Sequence, residues 1–436
     1  MYEKELKRVK KIILQMVRRK RFVNKKVYVF GVSDNTRQII QILREQDISV
    51  QNVIDNDKTK QNGYCACIKV ISLAELKNIN GDKNVFLIYS AYWREMVGQL
   101  KQLNVKKNSI KILFQTKRSL IRLIYDTYYG RYIYRKIMCL YGNVPMFICP
   151  YTGTGDIYLI GTFWKQYIEK NNIEGYVFVV ITGACKKVAE LCNIENVYLV
   201  KDKREVPAML SYYRLCPNKV NIKVLNDCWG EIHTNQIEWF RGYKELYFTR
   251  LFREYVFDLG KDSRPLHPTL KDRLNEVIEI VEQNHLQKGK TVIISPYSNT
   301  LSDLPMVFWE NLTEYLLAQG YIVCTNSSGA TEPAIKGSIP IFFPLNIAPQ
   351  LIEWAGVFIG VRSGFCDIIS NAKAQKIILY DKRNRFYMGS AYEYFNLKDM
   401  GLTDDAIEIQ YDEDIDGLYE MVKEKVRWGV NRDTQI

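Results

Sequence analysis

The stretch Ile294–Pro333, ISPYSNTLSDLPMVFWENLTEYLLAQGYIVCTNSSGATEP, decides how this chain is read. An apolar strand, TVIISPY (291–297), ends in Pro and small polar residues. A helix opened by Leu304-Pro305-x-x-Phe308-Trp309 follows, and the next strand, YIVCTNS (321–327), again ends in a polar turn. Further along, IPIFFPL (339–345), VFIGV (357–361) and KIILY (376–380) repeat the apolar run. Strands alternating with helical stretches give a parallel α/β sheet, whose ligands gather at the carboxyl ends of the strands.

The same rhythm occurs twice more upstream. MFICPY (146–151), a helix from Asp156 to Lys170, YVFVVIT (176–182), VYLV (197–200) and NIKVLND (221–227) form one series. VYVFGV (27–32), a helix from Thr36 to Glu45, VQNVID (50–55), VFLIYS (85–90) and SIKIL (109–113) form another. The expected organisation is therefore a basic amphipathic helix (1–26), a small Rossmann-like domain (27–115), a basic aromatic linker helix (116–145), and two larger α/β domains (146–285 and 286–436). A ligand cleft is expected between the last two.

Composition narrows the class. The chain has 436 residues, 25% charged and 47% hydrophobic, which excludes a disordered or collagenous chain. The longest apolar run, around Tyr176–Cys185, is too short to span a bilayer, and the amino terminus lacks a secretory cleavage site. A cytosolic protein is expected. Ten cysteines, among them Cys139, Cys149, Cys192, Cys324 and Cys366, are dispersed in apolar segments and read as reduced core thiols. Cys65-x-Cys67 has no second pair, and His233, His267 and His285 are not spaced as ligands, so no metal is expected.

The net charge of +13 is concentrated. Residues 1–26 carry eleven Lys/Arg against Glu3 and Glu5, and residues 116–142 carry six against Asp126. Leu6, Val9, Ile12, Ile13, Met16 and Val17 fall at helical spacing in the first segment. The second interleaves Leu120, Leu123, Ile124, Tyr128, Tyr132 and Ile133 with Arg122, Arg131, Arg135 and Lys136. Both suit an anionic membrane surface or a solvated helix face, with attachment on the inner side of the membrane. No nucleic-acid motif accompanies the charge.

In CPYTGTGDIYLIGTFWKQYIEK (149–170), Gly153, Thr154 and Gly155 form a loop whose backbone can approach a ligand, and Asp156 enters the first helical turn. A helix amino terminus lowers a carboxylate's pKa, which opposes its use as a base. Alternatively, Asp156 merely complements the helix dipole. In LIEWAGVFIGVRSGFCDIISNAKAQKIILYD (351–381), Arg362 can fork to a phosphate, Ser363 and Gly364 open a helix, and Asp367 is structural or a sugar contact. Gly360-Val-Arg-Ser363-Gly364 does not satisfy the hydrolase nucleophile pattern. In the first domain, Gly31-Val-Ser33-Asp-Asn-Thr36 is a degraded phosphate loop, and Asp55-Asn-Asp57 reads as a strand-end turn rather than a metal motif.

The Gly155-Asp156 helix start, together with 294–333 and 351–381, resembles heptosyltransferase-type glycosyltransferases of the GT-B fold; 360–364 also resembles fucosyltransferase-like enzymes. The segment 29–57 resembles Rossmann-like domains that precede sugar acyltransferases and other cell-surface sugar enzymes. The resemblance implies a GT-B pair after a small Rossmann-like domain. It implies metal-independent transfer from a nucleotide-sugar, a co-substrate rather than a resident cofactor, to a glycan or lipid-linked oligosaccharide. Asp156 would be the base, with His233 in reserve; Ser298, Asn299, Asn326, Arg362, Ser363, Gly364 and Asp367 would bind the donor. The lysine usual after the heptosyltransferase Pro-Gly turn and a later histidine are missing here. A polyol-phosphate or pyruvyl transferase, or a sugar-nucleotide-binding scaffold without turnover, are the alternative readings.

Overall fold

The computed structural model describes residues 3–76, 83–90, 93–113, 120–225, 248–298, 304–327, 331–382 and 390–430. The chain divides into two compact units, with the boundary at the start of the helix that opens at Leu120.

The first unit runs α1 (Glu3–Arg18), β1 (Lys26–Phe30), α2 (Asp34–Arg44), β2 (Val50–Ile54), β3 (Tyr64–Cys65), β4 (Ile68–Ile71), β5 (Asn84–Ile88), α3 (Trp93–Gln102) and β6 (Ile110–Ile112). Its sheet has the order β3-β4-β2-β1-β5-β6, parallel except for the β3–β4 hairpin. The alternating side chains of β1 explain its two faces. Val27 and Val29 pack with one apolar cluster, Tyr28 and Phe30 with the other. α1 is not a free amphipathic helix: Val9 and Ile13 are fully buried, and Leu6, Ile12, Met16 and Val17 pack against the same core. Its apolar stripe is already covered by its own domain, which leaves only the basic side outward.

The second unit contains two parallel sheets. α4 (Leu120–Tyr141), β7 (Met146–Ile148), α5 (Thr154–Lys170), β8 (Val177–Val180), α6 (Gly183–Leu191), β9 (Val197–Leu199), α7 (Glu205–Leu215) and β10 (Ile222–Val224) build a sheet of order β10-β7-β8-β9. α8 (Phe248–Arg250) runs into a π-helical turn, Leu251–Val256, before α9 (Leu274–Gln283). β11 (Thr291–Ser295), α10 (Met306–Ala318), β12 (Ile322–Asn326), β13 (Ile339–Ile341), α11 (Ala348–Ala355), β14 (Gly356–Val361), α12 (Gly364–Ile368), β15 (Gln375–Asp381), α13 (Ala391–Phe395), β16 (Ile407–Tyr411) and α14 (Ile415–Val430) complete the other sheet. Its order is β13-β12-β11-β14-β15-β16, parallel throughout.

One apolar cluster joins the two sheets: Phe147, Ile157 and Phe163 from the first half belong with Ile293, Phe358 and Phe365 from the second. α4, expected as a linker, is instead a structural layer of this unit. Ile133, Tyr134 and Ile137 pack with Met209 and Leu210 of α7 over Ile148 and Val179. The helices meet so closely at Gly130 that a Cβ there would collide with the Ala208 carbonyl. Most cysteines expected in the core are there, but Cys139 is exposed on α4. Among the described residues, no helix is long and apolar enough to cross a membrane.

Candidate functional site

Two helix starts meet at the carboxyl edges of the two sheets in the second unit. β7 leads through Cys149–Gly153 to α5, and β14 leads through Arg362 and Ser363 to α12. Gly153 and Ser363 are the N-caps, and neither supplies a side-chain cap. Gly155 and Gly364 make the approach possible. A Cβ on Gly364 would lie 2.6 Å from the Gly155 nitrogen and 2.9 Å from Thr154 Oγ1. A Cβ on Gly155 would lie 2.9 Å from Gly364 Cα and collide with Asp367 Oδ2. These glycines are required by contact rather than by a left-handed backbone.

Arg362 is not presented to a ligand as the sequence suggested. It is 6% exposed and its guanidinium is occupied internally. Nη2 donates to Asp367 Oδ1 at 2.5 Å, Nη1 donates to Asp367 Oδ2 at 3.1 Å and to the Ser363 carbonyl, and Nε donates to the Phe395 carbonyl at 2.8 Å. The fork expected for phosphate is made to a carboxylate five residues on. Burial works against the guanidinium's charge, but Asp367 holds its pKa above the usual arginine value. Asp367 is correspondingly an internal ion-pair partner.

Asp156, third residue of α5, is half-buried, and its carboxylate folds back over Gly153, whose added Cβ would lie 2.5 Å from Oδ2. Burial and the nearby charge of Asp367 push its pKa up to about 7, with Arg362 opposing. The helix start was expected to lower this value. Desolvation and a like charge outweigh it here, because the Arg362 charge is already engaged by Asp367. The result is a carboxyl group poised to exchange a proton near neutral pH.

The remaining expected residues fall around this junction. Thr154, Ser298, Asn326, Ser363 and Gly364 are half-buried, and Gly153 is exposed. Ser298 Oγ donates to the Arg362 carbonyl at 3.3 Å, which ties the turn after β11 to the turn after β14. Asn326 ends β12, two strands from β14. Asn299 and His233 lie outside the described residues.

Two groups beside Asp156 carry no signal in the sequence. Cys149 and Cys185 are buried close enough to feel its charge, and burial raises both thiol pKa values. Cys185 Sγ donates to the Thr152 carbonyl at 3.5 Å, bracing the loop before α5. On the inner side of α5, Tyr158 Oη sits 3.1 Å from His267 Nδ1, and burial lowers the pKa of this histidine. Among the described residues, no group of three or more His, Cys, Asp or Glu is placed to hold a metal ion.

In the first unit the degraded phosphate loop is closed on itself. Ser33 and Thr36 form a capping box at the start of α2, and Thr36 Oγ1 donates to the Gly31 carbonyl at 2.5 Å. Asp55 accepts from the Val32 N–H at 2.6 Å and the Asp57 N–H at 2.8 Å. Asp57 accepts from the Thr59 N–H and hydroxyl. The Asp-x-Asp triplet is a hydrogen-bonded turn.

Comparison with known proteins bears on both units. A family model described as C2185-like, N-terminal, matches residues 23–111, the sheet of the first unit. A search of curated protein sequences finds no match. Among solved structures, the chain is similar to the E. coli ADP-heptose lipopolysaccharide heptosyltransferase II at 12% identity and a TM-score of 0.49, covering 66% of this chain and 99% of that one. It is similar to a family 9 glycosyl transferase from Veillonella parvula at 12% identity and a TM-score of 0.43, covering 64% and 88%. A third similar structure is an E. coli heptosyltransferase with ADP, at 10% identity and a TM-score of 0.40, covering 64% and 99%.

Proposed function

We propose that the chain is a glycosyltransferase that moves a sugar from a nucleotide-sugar to a glycan or lipid-linked oligosaccharide in the assembly of a surface polymer. The observation that carries this reading is the junction itself. There Asp156, a carboxyl group with a pKa of about 7, opens α5 beside the first turn of α12, where the Asp367 carboxylate is already paired with Arg362. The family 9 and heptosyltransferase structures to which the chain is similar agree in the class of reaction.

In this reading Asp156 takes the proton of the acceptor hydroxyl as that oxygen bonds to the anomeric carbon and the sugar–phosphate bond breaks. The leaving nucleoside diphosphate takes the bonding electron pair. Ser298, Asn326, Ser363 and Gly364 line the donor side with hydroxyl, amide and backbone groups. Arg362 contributes by holding Asp367 and the turn after β14 rather than by direct phosphate contact. The proposed transfer is metal-independent, with the N–H groups that open α12, rather than Arg362, facing the departing diphosphate.

The test is a thermal-shift screen of the full chain against sugar nucleotides and free nucleoside diphosphates, with and without chelator. Stabilisation by one nucleotide family, unchanged by chelator, supports the donor site. No stabilisation by any of them counts against it, and a chelator-dependent shift counts against metal independence.

A further inference from the structure

α4 has an outward face unlike any other helix described here. Tyr125, Tyr128 and Tyr132 are 63%, 69% and 62% exposed, and Leu140 is 65% exposed at the far end. Arg131 and Arg135 stand outward along the same side. The opposite side, with Ile133 and Ile137, is buried against α7 and the sheet. Among the described residues of the two basic segments, the exposed aromatic side chains lie on α4, whereas the apolar side of α1 is spent on its own core and Val23, beyond that helix, is exposed.

The direction of α4 fixes where this face lies. Tyr134 Oη accepts from the Asn221 N–H at 3.3 Å, just before β10, at the amino edge of the sheet. Tyr125 and Tyr129 lie near Arg204, which follows β9 at the carboxyl edge. α4 therefore runs antiparallel to the strands. Its tyrosine-rich beginning stands at the sheet edge from which α5 and Asp156 also start.

We propose that the outward face of α4 docks the protein on an anionic lipid bilayer. Tyrosines present an apolar ring and a polar tip, which suits the headgroup region, and the arginines between them meet lipid phosphates. Charge selects this occupant over a second copy of the chain, which would set Arg131 and Arg135 of the two copies against each other. The residues from Tyr125 to Leu140 span roughly 22 Å at 1.5 Å per residue, longer than one sugar ring would cover. The placement rests on the transferase reading only for its purpose: a lipid-linked acceptor held at the bilayer would lie at the edge where Asp156 opens.

The experiment is co-sedimentation of the full chain with vesicles of phosphatidylcholine alone, or with phosphatidylglycerol as about a third of the lipid. No donor or acceptor is present, so its outcome is independent of the transferase reading. Binding to the anionic vesicles is expected, falling at least about tenfold in R131E/R135E and also in the charge-neutral Y128S/Y132S. K11E/R18E, an equal charge change on α1, is expected to fall less than R131E/R135E. All these positions except Tyr128, Tyr132 and the arginines of α4 lie in the other unit, and circular dichroism checks that each variant is folded. The proposal is overturned if the parent chain does not bind, if both α4 variants bind like the parent, or if the α1 variant alone loses binding. A concentration-dependent dimer in sedimentation velocity that is abolished by Y128S/Y132S would also overturn it, in favour of self-association.

Discussion

Replacing Asp156 by Asn is expected to stabilise the fold at alkaline pH while removing activity. An Asp in the unfolded chain titrates near 3.8, whereas Asp156 in the folded chain titrates at about 7. Between these values the folded state holds a proton that the unfolded state has released. Stability therefore falls as pH rises through the interval, and the full deficit is present above pH 7. A shift of about three units at 1.36 kcal/mol each sets an upper bound of about 4 kcal/mol. The Asn side chain keeps the size and loses the charge, so the variant escapes this penalty. Urea unfolding of both proteins between pH 4.5 and 8.5 measures the difference. The variant should gain on the parent as pH rises to about 7 and the gap should level off above it, at about 1 to 4 kcal/mol. A gap that does not change with pH, or a parent more stable than the variant at pH 8.5, would refute the origin assigned to the shift.

Three further outcomes follow from the same geometry. The transfer rate at limiting substrate should rise with pH through an apparent pKa near 7, because the base must be ionised; a flat profile from pH 5.5 to 8.5 would remove Asp156 from that role. Arg362→Ala should destabilise the fold by about 3 to 5 kcal/mol in urea unfolding, because it leaves Asp367 buried without its partner, whereas Arg362→Met with Asp367→Leu should recover much of the loss. Gly364→Ala forces a Cβ to within 2.6 Å of the Gly155 nitrogen, so it should cost about 1 to 3 kcal/mol and lower turnover together; a variant with parental stability and rate would mean the helix starts are not in contact.

Much of the fold was legible because apolar strands alternate with helical stretches. TVIISPY and KIILY fall on β11 and β15, and VYVFGV falls on β1, with ends displaced by a residue or two. β16, IEIQY, and the β3–β4 hairpin lie at the sheet edges and are only partly buried, so they lack the continuous apolar run that marks the central strands. The position of Asp156 at a helix start was readable locally, but its proton affinity was not. That depends on Asp367 and on how deeply the α5–α12 junction buries it, neither of which is near in sequence. Arg362 was misread for a related reason. A Gly-x-Arg-Ser turn before a helix suggests a free guanidinium, but the first turn of α12 brings Asp367 back beneath it. Along α4, the sequence interleaves tyrosine, leucine and arginine without showing which side is covered; packing at Gly130 against α7 determines that.

The most direct test of the transferase reading is release of nucleoside diphosphate from the sugar nucleotide that stabilises the chain, measured with membrane-extracted acceptor for the parent and for Asp156→Asn. The account predicts acceptor-dependent release by the parent, insensitive to chelator, and loss of release by at least about a hundredfold in the variant with donor binding retained. Equal release by both proteins would contradict it, as would a parent that binds the donor and transfers to no acceptor.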